Sequence, residues 1–324
     1  MTENLDRRSF MKKSLSASAA TLGLGLAQMA TATQRSSSGV NLAADSEKSM
    51  PVGTIGKLKI SRLICGGNLI SGWAHSRDLK YVHHLMRNYN TDEKVMDTLE
   101  LCEESGVNAI IADPSERPLL ILPRYWNERG GKIQWIAEGH PKLDDVKTNI
   151  NKSIDTGAVA IYMQGVIGDL WFKSGHMDKL REALEFIKDN GIPAGIGAHE
   201  LRVVAACEKM GFNPDFYVKT LHSTNYWSAK LPNQNLDVID NPTDNYWCVA
   251  PEETIEFMKR VDKPWIAFKV LAAGAIHPRD GFPYAFNGGA DLICAGMFDF
   301  QVREDVIIAR QAISQANRQR PWRA

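Results

Sequence analysis

Lys219 and Lys269 are the residues whose positions most need a chemical explanation. Each reads as lying inside a short apolar strand, Phe216 to His222 and Trp265 to Leu271. An ammonium group buried beneath a covering helix is costly unless it is paired or wet. Both lysines are therefore expected to face inward, on neighbouring strands near one rim of the fold. Two close ammonium groups depress each other's proton affinity. Such a pair could hold an anionic substrate, or one member could act as a Schiff-base nucleophile. An internal ion pair with Glu138 or Asp113 is the structural alternative.

Glu138 and His140 end or follow one expected strand, His199 another, and His222 ends the strand that carries Lys219. Carboxylate and imidazole at a concave rim can bind a divalent metal with open positions. The same groups can exchange protons without a metal. No HxH or HExxH spacing marks a metal site, and a histidine at a strand end often only hydrogen-bonds a loop.

The elements that must carry these residues repeat as strand then helix from residue 61 onward. The pattern predicts an α/β fold of eight strands, each followed by a helical segment, which is the arithmetic of a closed (β/α)8 TIM barrel. An N-terminal hairpin over 52–60 precedes it. Thr91 predicts the start of a helix by capping it, and Pro251 with two following acids predicts another. Pro118 and Pro123 make the helix over 116–130 the weakest unit. An open doubly wound sheet would expect a glycine fingerprint after the first strand, and Cys65-Gly66-Gly67-Asn68 does not spell one. Two long loops, 67–90 and 223–250, should lie over the barrel mouth. The second carries Tyr226, Trp227, Tyr246 and Trp247, whose flat faces suit sugar rings or simply pin the loop. Tyr226 and Trp227, with Asp113 and Gln164, are the expected substrate contacts. Asp299 is a lesser candidate, with Met297, Phe298 and Phe300 beside it read as core.

The chain has 324 residues with 38 basic and 38 acidic side chains, so nothing in its charge calls for nucleic acid. Its five cysteines form no CxxC pair, which argues against a zinc knuckle. Arg7-Arg8-Ser9-Phe10-Met11-Lys12 resembles a twin-arginine export motif, followed by a weakly apolar stretch and Ala30-Thr31-Ala32 as a cleavage site. The expected organisation is a signal peptide over 1–32, a Ser- and Ala-rich linker over 33–50 and a barrel domain over 51–324. The expected partners are then the twin-arginine export machinery and a small-molecule substrate, in the periplasm or outside the cell. No stable membrane span is expected after processing.

The segment from Thr54 to Gly67, including Lys57-Leu-Lys-Ile-Ser-Arg-Leu-Ile-Cys65, resembles the opening of the aldo/keto reductases. Gly106-Val107-Asn108, Ala160 to Gln164 and Gly191 to Gly197 resemble later strand regions of that family, so the likeness spans roughly 52–200. It implies the barrel, oxidoreductase chemistry on a carbonyl compound or sugar, and NADP as cofactor. The family places an Asp and a Tyr after its second strand, a Lys at the end of its third and a His at the end of its fourth. Here those places fall on Ile111 (with Asp113 two residues on), Glu138-Gly139 and Gln164-Gly165, and no Tyr precedes Tyr125. The expected active set is therefore non-standard: Lys219, Lys269, His222, His199 and Glu138. The competing readings are a metal-dependent isomerase, lyase or hydrolase using His140, His199, His222 and Glu138, and a non-catalytic ligand-binding barrel.

Overall fold

The computed structural model describes residues 49–76, 79–230, 234, 238–240 and 248–324. The signal peptide and nearly all of the linker, and the aromatic residues Tyr246 and Trp247, lie outside the described residues. No described helix is long and apolar enough to cross a membrane.

The hairpin forms as expected: β1 (Val52–Ile55) pairs antiparallel with β2 (Leu58–Ser61) across a turn that holds Gly56 at φ 58°. The barrel strands are β3 (Leu63–Gly66), β4 (Ala109–Ala112), β5 (Gln134–Gly139), β6 (Ala160–Met163), β7 (Ala194–Ala198), β8 (Phe216–Thr220), β9 (Trp265–Phe268) and β10 (Leu292–Ala295). They run parallel in chain order, and β10 closes onto β3 with Ile293 opposite Leu63.

Alternation along each strand sorts side chains into two apolar layers. Ile64, Ile111, Ile136, Phe216, Val218 and Ile266 fill the lumen. Cys65, Ala112, Tyr217, Trp265 and Ala267 pack outward against the helices. Ile55 and Ile60 join the lumen layer, so the hairpin plugs the N-terminal end of the barrel. The C-terminal tail seals the same end. Arg318 and Arg320 reach the Asp291 carboxylate at 3.1 and 2.5 Å, and the Trp322 ring lies between the Arg62 and Arg318 guanidinium groups.

The β3-to-β4 connection is not a plain loop. It holds α1 (Asn68–Ser71), α2 (Lys80–Tyr89) and α3 (Asp92–Glu104). Thr91 caps α3, its hydroxyl accepting the Lys94 N–H at 3.2 Å. Helix α4 (Glu116–Glu128) runs through both prolines. Pro118 falls in the first turn, where its missing N–H removes no helical bond, and Pro123 forfeits only the bond to the Leu119 carbonyl. Helix α5 spans Thr148–Thr156. The Asp145 carboxylate accepts the Thr148 N–H at 3.0 Å and sets that start. A helix not expected from the sequence, α6 (Gly165–Lys173), follows β6 and is capped by Gln164. Next come α7 (Met177–Asp189), α8 (Leu201–Lys209), α9 (Pro251–Met258), α10 (Pro278–Asn287) and α11 (Asp299–Ser314). Met297 is core as expected, but Phe300 at the start of α11 is 70% exposed.

Candidate functional site

The C-terminal rim surrounds a cavity of about 240 Å³. Its walls come from β3 and the turn after it (Gly66 to Leu69, Trp73 to His75), from the loop leaving β9 (Lys269 to Gly274) and from the end of β10 and start of α11 (Cys294 to Gly296, Phe298, Gln301). Its floor is the top of the lumen: Ile111, Glu138, Tyr162 and Phe268.

Strand register explains the floor. Glu138 sits opposite Tyr162, and both continue the inward alternation set by Ile136 and Ala160. Burial pushes the Tyr162 phenol well above its usual range, and the neighbouring Glu138 carboxylate adds to the shift. Burial also raises the Cys294 thiol, helped by Cys65 and Glu138 and opposed by Lys269. That keeps Cys294 protonated and a poor nucleophile.

Lys269 reaches the cavity in an unexpected way. The strand stops at Phe268, which faces the lumen, so a further strand residue would point outward. Lys269 instead adopts φ 57°, a left-handed conformation that breaks the alternation, and its side chain lines the cavity with the ammonium 5.9 Å from the Phe268 ring. Among the described residues the non-glycine positions with positive φ are His75, Lys269, Ala272 and Ala273, and all four line this cavity. Left-handed backbone is costly for residues with a Cβ, and such strain collects at functional sites.

Lys219 does not join Lys269. Its strand neighbours in register are Ala198 and Ala267, both in the outward layer. It is 1% exposed, donates to the Thr220 carbonyl at 3.0 Å and is not part of the cavity wall. The expectation of two ammonium groups sharing one inward-facing cup is therefore corrected. The reason is a one-residue matter of strand parity.

The expected histidines divide similarly. His199 Nδ1 lies 2.8 Å from the Asp169 carboxylate, which also accepts the backbone N–H groups of His199 and Glu200. Its ring packs behind Phe268 at 5.2 Å rather than on the cavity. Burial lowers its proton affinity against the pull of Asp169. His222 Nδ1 donates to the Lys269 carbonyl at 3.0 Å, and its Nε2 accepts the Cys248 N–H at 3.0 Å. Both nitrogens are thus occupied, the ring is neutral, and its role is to fix the Lys269 turn. His140 lies on the exposed side of Glu138, its Nε2 3.7 Å from that carboxylate. The four proposed metal ligands do not converge, and among the described residues no three His, Cys, Asp or Glu side chains gather as a metal site requires.

The substrate contacts expected at Asp113, Gln164, Tyr226 and Trp227 also lie elsewhere. The Asp113 carboxylate accepts the Ser71 hydroxyl and ties α1 to the end of β4. Gln164 Oε1 accepts the N–H groups of Val166 and Ile167 at 3.0 and 3.3 Å. Tyr226 packs edge-on against His222, and Trp227 is 77% exposed. None of the four lines the cavity. Glu138 and Lys269 are the expected residues that do. Tyr162, Trp73, His75 and Phe298 were missed. Alternation could have found Tyr162, two residues on from Ala160 and therefore on the same inward face. Nothing local places the other three.

His222 carries a pH signature. Burial holds its pKa down to about 4, with the Lys219 and Lys269 charges reinforcing and the Lys269 carbonyl opposing. Above about pH 6.5 the ring is neutral whether the chain is folded or not. As pH falls toward 4, the unfolded chain takes up a proton that the folded one refuses, so stability is lost on acidification. Denaturant titrations across this window should show the wild type losing about 2–3 kcal/mol more than His222→Gln. Equal losses would mean the ring titrates freely in the fold.

Fold and cavity together define the class: a closed (β/α)8 barrel with a ligand-sized recess at the C-terminal rim, where barrel enzymes build their sites. Aldo-keto reductases are among the structural neighbours of this barrel. A proposed aldo-keto reductase from Pseudomonas aeruginosa matches with a TM-score of 0.56 and 16% identity, over 83% of this chain and 97% of its own. An aldo-keto reductase from Bacillus halodurans, in its holo form, matches at 0.55 and 13%, over 85% and 100%. A variant of Gox0644 in complex with NADPH matches at 0.54 and 8%, over 84% and 95%. At these identities the shared property is the scaffold. No family model matches the chain, and no curated protein matches it in sequence.

The resemblance to reductases implies NADP, and the described residues fit it poorly. At about 240 Å³ the cavity is at the small end of ligand clefts. Lys269 is the sole lysine or arginine on its described walls, against the several phosphate charges of that cofactor. A carboxylate, Glu138, ends the third barrel strand where the reductases carry their lysine.

Proposed function

We propose that the protein is an exported barrel enzyme, built on the aldo-keto reductase scaffold, that acts on a small carbonyl compound or sugar. The observation that carries this reading is the convergence of Lys269, Glu138 and Tyr162 on one strained, largely apolar recess. The Lys269 ammonium would hold a carbonyl oxygen or carboxylate. The Tyr162 phenol stays protonated and can donate to a second oxygen, and Glu138 beside it can accept a proton from the substrate. Export rests on Arg7-Arg8 and the apolar stretch after it.

Glu138→Gln tests the proton-transfer role. Its kcat should fall about 100-fold or more, with KM changed far less. The assay is a panel of sugars and keto acids given to protein purified from the periplasmic or culture fraction. Full activity in Glu138→Gln would remove that carboxylate from the mechanism, and protein confined to the cytoplasm would overturn export. The non-catalytic reading is favoured by Glu138 replacing the family's lysine. It expects ligand binding without turnover by the wild type.

A further inference from the structure

The cavity has an aromatic annex that the proposed reaction does not use. Phe298 lines the cavity and stacks on Phe300, with ring centroids 5.3 Å apart and planes 6° from parallel. Phe300 turns its other face to solvent and is 70% exposed. Tyr89, the last residue of α2, braces both rings edge-on at 5.5 and 6.1 Å. Its hydroxyl donates to Asp299 Oδ1 at 2.6 Å, and Lys94 Nζ reaches Asp299 Oδ2 at 3.0 Å. Gln301 Oε1 accepts the Phe298 N–H at 3.1 Å and fixes the turn. Trp73 stands on the cavity wall as well, 47% exposed.

We propose that this platform is a sugar-binding subsite, and that the ligand is an oligosaccharide whose end enters the cavity while the next units lie on Phe300. The inference rests on the sugar branch of the reading above and narrows it. A pyranose presents a flat C–H face to an aromatic ring and hydroxyls around its edge. The platform offers the complement: a braced ring face, with the Lys94 and Asp299 groups beside it still 34% and 23% exposed. An apolar protein face or a lipid surface would strip water from that ion pair with nothing in return, at a desolvation penalty. Sugar hydroxyls replace the lost water instead. Tyr89 already braces the rings and Gln301 holds the Phe298 backbone, so little ordering accompanies binding.

The test is calorimetric binding of small keto acids, and of xylose, cellulose and chitin oligomers from monosaccharide to hexasaccharide, by wild type and Phe300→Ala. Phe300 is exposed, so the variant should fold, and its melting curve checks this. Affinity of the wild type should rise with chain length. Phe300→Ala should bind the longer oligomers about tenfold more weakly, the equivalent of one stacking contact, and the monosaccharide equally well. Binding of monosaccharides or keto acids with no gain from length overturns the subsite and leaves the cavity reading intact. No binding of any probe to the wild type overturns both. A Phe300-dependent dimer, or Phe300-dependent adsorption to phosphatidylglycerol vesicles, in place of a length effect would assign the platform to another partner and also overturns the proposal.

Discussion

Lys269→Gly should abolish most activity while leaving the fold as stable as before or slightly more so. Lys269 holds φ 57°, a conformation worth roughly 1–2 kcal/mol of strain for a residue with a Cβ. Glycine adopts it freely, although its unfolded chain has about 0.5–1 kcal/mol more entropy to lose. The two effects nearly offset, so the melting temperature should stay within a few degrees. The ammonium, however, is gone from the cavity wall. Loss of one charge-assisted contact should weaken ligand binding about 10- to 100-fold. If the contact strengthens in the transition state, kcat/KM falls by about 100-fold or more. Lys269→Met separates backbone from charge, because it keeps the strain and the side-chain bulk. It should lose activity like the glycine variant without any gain in stability. Full turnover in Lys269→Met would exclude the ammonium from the site.

Asp291→Ala is expected to have the largest effect on stability. The carboxylate is fully buried beneath the barrel. It receives Arg318 and Arg320 through its side-chain oxygens, together with the backbone N–H groups of Trp265 at 3.0 Å and Arg323 at 2.8 Å. Its own carbonyl accepts Arg62 at 2.7 Å. Burial already pushes the Arg318 guanidinium down to about 10, against the pull of Asp291. Removing the anion leaves two buried cations facing each other, and breaking such a pair typically destabilises by about 3–5 kcal/mol. The consequence extends beyond the tail. Asp291 stands at the foot of β10, the strand that closes the barrel onto β3, and both strands deliver cavity residues at their far ends. Urea unfolding should report the loss, and a change of less than about 1 kcal/mol would show that the carbonyls around the arginines suffice.

Much of this architecture is local, and local chemistry is legible in a sequence. Thr91 caps its helix because its hydroxyl is within reach of the Lys94 N–H, and no distant residue is needed. The repeat of apolar strands and amphipathic helices determines the barrel, and Val52 to Ser61 determines its hairpin. Glu138 could be placed because it ends a strand on the rim. Lys219 could not be assigned a face. In a parallel barrel both faces of a strand are apolar, so alternation exists without revealing which side is the lumen. Phe216 and Val218 turned out to be inside, and Lys219 therefore outside. Lys269 shows the same limit from the other direction. A single left-handed residue, set by the loop and by the His222 hydrogen bond, moved its side chain onto the cavity. His222 read as a catalytic group and Gln164 as a substrate contact until their partners appeared, because hydrogen bonds to a chain segment far away or to the next helix carry no periodic signal. Composition and spacing thus determined the scaffold. Closure of the barrel, which brings the ends of β3, β9 and β10 together from opposite ends of the chain, decided which side chains share the cavity.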